Sequence, residues 1–214
     1  MRLSENKTIR VLNIMSTGIL CLYIIFLIVK IFSPGSPAAS NSVKGFNIYD
    51  MVAKPKNLTN ARSLEDWFSS KVIVEPTYKA LISIRIKSND ELYSFPSLLF
   101  QFTNLVYWLA IGYLLLCVKM LFSSFSKNKV FTTNNAHLIT SGAIVMLALP
   151  AIRWATNELF INLIVKMNLN DSSYTIQNQT SISGSETLIG IALLAFSLAF
   201  RAGVDLKNEN EAFI

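Results

Sequence analysis

Four long apolar stretches, at about residues 11–32, 95–122, 138–165 and 187–203, dominate a chain of 214 residues. A mostly apolar run of about 17–25 residues is long enough to cross the hydrocarbon core of a bilayer as a helix. Inside that core a backbone must bond its own polar groups, which leaves only helices and closed barrels. The pattern therefore predicts an all-α transmembrane fold. It is a four-helix membrane bundle in which residues 1–214 form one integral membrane domain.

Composition agrees. Charged residues make up 15% of the chain and apolar residues 52%, against about 25% charged in soluble domains. The formal charge of +6 comes from Lys and Arg placed between the apolar runs rather than in a dense block. That placement argues against direct nucleic-acid binding and for contact with the lipid bilayer and its anionic headgroups. Cys21 and Cys117 both fall inside predicted spans, so a disulfide is not expected, and no Cys/His spacing suggests a metal. His137, the one histidine, lacks ligand neighbours and reads as a helix start near the interface.

Orientation follows from the basic residues. Arg2, Lys7 and Arg10 precede the first span; Lys119, Lys127 and Lys129 flank the second connection; Arg201 and Lys207 follow the fourth span. These regions share one side of a four-span topology, and the positive-inside rule makes that side cytoplasmic. The expected location is a cytoplasmic (inner) membrane, with both termini, a loop at about 123–137 and a tail at 204–214 inside. Loops at about 33–94 and 166–186 lie outside. A rival reading takes residues 1–40 as a signal peptide cleaved near Ala38-Ala39-Ser40, but the first run is longer than the 7–15 residues of a usual signal core.

The outer loops carry strand signals. Ile82, Ile84 and Ile86 alternate with Ser83, Arg85 and Lys87, the period of a half-buried strand. Lys71–Glu75, Tyr174–Gln177 and Ser181–Ser183 read similarly, and Ser63 with Asp66 suggests a capped short helix containing Trp67 and Phe68. A small extracytoplasmic antiparallel β cap seated on the helix ends is expected. In the fourth span Ala195, Ala199 and Gly203 recur every four residues, a spacing that lets helices approach closely and offers a face for oligomer formation.

Polar residues inside membrane helices are costly and are candidate functional residues. Gln101 and Asn104 share a face of the second span. Arg153, Asn157 and Glu158 follow Pro150 in the third, where a proline frees a carbonyl and can kink the helix. These five form a candidate intramembrane polar site. Depth supplies the competing reading, since Arg153 and Trp154 fall near the outer interface, where both residue types anchor helices. Glycosylation tripeptides occur at Asn57, Asn170 and Asn178, and by chance at Asn6. There is no HExxH, GxSxG, P-loop or GxGxxG motif. No catalytic, cofactor-binding or metal-binding residue is expected, and an enzyme is not the expected class.

Two segments carry a likeness. Lys129-Val130-Phe131-Thr132-Thr133-Asn134-Asn135-Ala136, leading into the third span, and Phe200-Arg201-Ala202-Gly203 with the acidic stretch to Glu211, resemble domain-of-unknown-function family 2975, a group of bacterial four-span membrane proteins. The ending Glu211-Ala212-Phe213-Ile214 departs from that family's usual pattern. The resemblance implies association with small helix-turn-helix regulators, hence a cytoplasmic DNA-binding partner. The docking candidates are Phe131, Asn135, Asp205, Glu209, Glu211 and Phe213: an acidic segment able to face a basic surface, with apolar side chains to fill a groove. A non-enzymatic regulatory or accessory protein is the leading expectation. A small transporter or lipid- or ion-handling protein using the polar residues is the alternative.

Overall fold

A computed structural model of the chain describes residues 7–32, 45–47, 51–55, 83–85, 93–166, 174–178 and 180–212. Four helices are present among them: α1 Lys7–Phe32, α2 Phe95–Ser126, α3 Thr133–Lys166 and α4 Ser185–Ala212. Each is long and apolar enough to cross a membrane, so the chain has the makeup of a multi-pass membrane protein. Pro150 lies inside α3, which continues through it.

The helices are longer than their apolar runs. At 1.5 Å per residue, the 34 residues of α3 extend about 50 Å, well beyond a hydrocarbon core of about 30 Å. The largest departure is at α4, expected to end near Gly203 but helical through Ala212. After Gly203 the sequence contains neither Gly nor Pro, and Leu206, Lys207, Glu209 and Glu211 are good helix formers. Extending an existing helix needs no new nucleus, so it runs on. The residues 204–212 that the sequence placed in a tail are helix.

Four short strands are described: β1 Gly45–Asn47, β2 Met51–Pro55, β3 Ser83–Arg85 and β4 Tyr174–Asn178. They form two separate antiparallel ladders, β1 with β3 (Phe46 opposite Ile84) and β2 with β4 (Ala53 opposite Ile176). Pro55 ends β2, where a missing N–H does least harm. Neither β1 nor β2 alternates in the sequence, and both went unforeseen. Ser181–Ser183, expected as a strand, is irregular instead, with bends at 182–184 leading into α4. Lys71–Glu75 and the helix expected around Trp67 and Phe68 lie outside the described residues.

The chain divides into two compact units. The first takes Met1–Ser33, Thr103–Arg153 and Ser181–Ile214. Within it α1 touches its neighbours along one seam: Ile9, Asn13, Ser16, Leu20, Tyr23 and Leu27 are its less exposed residues between 7 and 29. Their alternating spacing of four and three is that of a coiled-coil seam. Tyr23 anchors it, its hydroxyl donating to the Trp108 carbonyl and its ring lying against Gly112, where an added Cβ would stand 3.0 Å from the ring. Phe26 meets Trp108 edge-on at 5.4 Å.

Helices α3 and α4 pack more closely. A Cβ on Gly190 would stand 2.8 Å from the Leu147 side chain and 3.1 Å from its backbone nitrogen, so only glycine permits this approach. Farther along, Ala136 and Ile139 of α3 bury against Phe200 and Val204 of α4, with Leu121 and Val130 around them. The inward face of α4 is therefore Gly190, Ser197, Phe200 and Val204. The Ala195/Ala199/Gly203 stripe expected for oligomer contact is a different set. Ala195 and Ala199 are exposed, and only Gly203 packs within the chain. Four-residue spacing identifies a small-residue stripe but not its direction.

The second unit takes Pro34–Phe102 and Trp154–Thr180. Its core joins Phe100 to Phe160, with ring centroids 5.2 Å apart, and to Leu163 and Ile164, with Leu159, Ile161 and Ile176 packed around them.

Gly190→Leu should destabilise the protein by about 1–3 kcal/mol through overpacking, while Ala195→Leu, on an exposed position, should leave stability unchanged. Denaturant titration in mixed micelles checks both.

Candidate functional site

The corner between α2 and α3 is where the residues carrying the family likeness fall. Helix α2 stops in a Schellman arrangement: the Lys129 N–H donates to the Ser124 carbonyl and the Asn128 N–H to the Phe125 carbonyl. Asn128 makes this turn possible by adopting φ 59°, a left-handed conformation that asparagine tolerates better than most residues. The Ser124 hydroxyl adds a bond to the Lys129 carbonyl at 2.7 Å. Thr132 then caps α3, its Oγ1 accepting from the Asn135 N–H.

Asn135 closes the corner. Its Nδ2 donates to the carbonyls of Lys129 and Val130, both at 2.7 Å. Its side chain is fully buried, at 0% exposure. It holds the loop together and presents no surface to a partner, which removes it from the docking candidates. Ala136 beside it is buried in the α3–α4 cluster.

Phe131 occupies the bend between the two caps. Its ring stacks on Phe200, with centroids 5.1 Å apart and planes 25° apart. A Cβ on Gly203 would stand only 3.1 Å from that ring. Phe131 is nonetheless 45% exposed. The two segments of likeness, far apart in sequence, thus meet in one cluster of Phe131, Ala136, Phe200 and Gly203.

Beyond this cluster α4 carries its charge. Val204 is the last buried residue among those described, and every residue from Asp205 to Asn210 is exposed, Asp205 and Glu209 among them. Leu206 is a large apolar side chain in open surface. Glu211 lies in the helix, its side chain outside the described set, and Phe213 lies outside the described residues.

Four of the five polar candidates meet residues outside the set. Gln101 Nε2 donates to Ser97 Oγ, one turn back on α2, and Ser97 is fully buried. Asn104 Oδ1 accepts from Trp108 Nε1 on the same helix. Arg153 stands 3.9 Å from Glu186, in the first turn of α4, with both side chains more than a third exposed. An exposed pair of this kind contributes at most about 1 kcal/mol. Asn157 is buried and donates to Thr180 Oγ1 at 2.6 Å. Glu158 is half-buried. None of these interactions joins two of the five.

What the sequence did not signal is the staple around Asn157. The Thr180 N–H donates to Asn178 Oδ1, and Asn178 Nδ2 donates to the Trp154 carbonyl on α3. The end of β4 is so tied to the helix at Trp154 and Asn157. This also engages the amide nitrogen that a glycan at the Asn178 tripeptide would use. Asn57 and Asn170 lie outside the described residues. Among the described residues no three His, Cys, Asp or Glu side chains stand close enough to hold a metal ion.

In comparisons with known proteins, no family model, no curated protein and no solved structure matches the chain.

Asn157→Leu should cost about 1–3 kcal/mol by stranding Thr180 in a part-buried site. The pair Asn157→Leu with Thr180→Val should show coupling of about 1 kcal/mol in a double-mutant cycle. Hydrogen exchange should accelerate in β4 more than at the α2–α3 corner.

Proposed function

We infer that this chain is a non-enzymatic regulatory or accessory protein of a bacterial cytoplasmic membrane, with both termini inside. Its α4 end engages a basic cytoplasmic partner. The observation that carries this is the exposed helical extension: α4 continues past Val204 with every residue from Asp205 to Asn210 exposed. The C-terminal end of a helix already carries partial negative charge, so Asp205, Glu209 and Glu211 deepen the negative potential there. Such an end attracts a cationic surface, complementing charge and speeding encounter. A DNA-reading helix-turn-helix surface is such a partner, and it is the one implied by the resemblance to family 2975.

Depth supports the orientation of the other end. The 21 residues Thr133–Arg153 span about 30 Å as helix, which matches the hydrocarbon thickness. Arg153 with Glu186, and Trp154 beside them, then mark the outer interface. Asn157 and Glu158 fall on a water-side extension of α3, outside the hydrocarbon. On this topology the loops that carry the two ladders lie on the extracytoplasmic side, exposed to envelope conditions. A signal requires two arrangements of the protein that differ in affinity for the inner partner.

Charge reversal tests the docking reading. Asp205→Lys with Glu209→Lys should abolish salt-sensitive co-purification of a basic cytoplasmic protein from native membranes, and Arg153→Ala should leave it intact. Loss with Arg153→Ala alone would instead favour a transport role for the polar residues. For topology, a cysteine at Val165 in a background lacking Cys21 and Cys117 should react with an impermeant maleimide from outside intact cells, and one at Ile144 should not.

A further inference from the structure

We draw no further inference here: the strongest candidate, the exposed face of α1 opposite its seam, where Val11, Ile14, Gly18, Cys21, Ile25 and Ile28 recur at alternating spacings of three and four, is an unpartnered apolar face, and nothing in the structure shows what covers it.

Discussion

Hydrocarbon offers no hydrogen bonds, and that one constraint shapes this protein from backbone to side chain. It forces the four apolar runs into helices, where each peptide group bonds within its own segment. It also decides what polar side chains do there. Ser16 and Thr17 return their hydroxyls to the Asn13 carbonyl, Thr140 to Ala136 and Ser197 to Leu194. Each is a local back-bond that hides a polar group along the helix's own wall. Side chains able to reach farther join neighbouring helices instead, as Tyr23 does at Trp108. Asn13 Oδ1 is an exception, buried in the α1 seam without a partner.

Where the chain leaves the membrane-crossing runs, the same accounting continues by other means. The α2–α3 corner has to satisfy the last carbonyls of one helix and the first amides of the next within a few residues. Asn128 supplies the left-handed turn, Thr132 the cap and Asn135 two donors for the Lys129 and Val130 carbonyls. With those bonds made, Phe131 sits between the two caps with its ring stacked on Phe200 and set against Gly203.

Much of the fold was legible because the solvent reads composition directly. The four runs of about 20 apolar residues announce helices whatever their neighbours do. The strand signal at Ile84, carried by strict alternation, also holds, as does the one at Tyr174–Gln177. Less was legible where contacts bridge distant sequence. Strands β1 and β2 lack alternation and exist through pairing with β3 and β4. Among the polar residues of α2 and α3, Gln101 bonds Ser97, Asn104 bonds Trp108, Arg153 meets Glu186 and Asn157 bonds Thr180, and the last two reach partners that helix spacing does not reveal. In the α1 seam, the spacing of Asn13, Ser16 and Tyr23 was a readable signal, since polar residues on one stripe of an otherwise apolar helix mark its protein-facing side.

The sequence by itself determined four helices long and apolar enough to cross a membrane, since transfer to hydrocarbon depends on local composition and length. It also determined the residue types at the corner and the acidic character of residues 205–211. Tertiary structure decided which faces meet. Gly190 and Ser197 turn inward while Ala195 and Ala199 do not, because helix rotation depends on the partner helix and not on any local preference. Asn135 could have been a surface side chain or a buried clamp; the loop folded around it makes it a clamp. Phe131 and Gly203, 72 positions apart, come together only when α3 and α4 pack, and no local reading of either segment contains that contact.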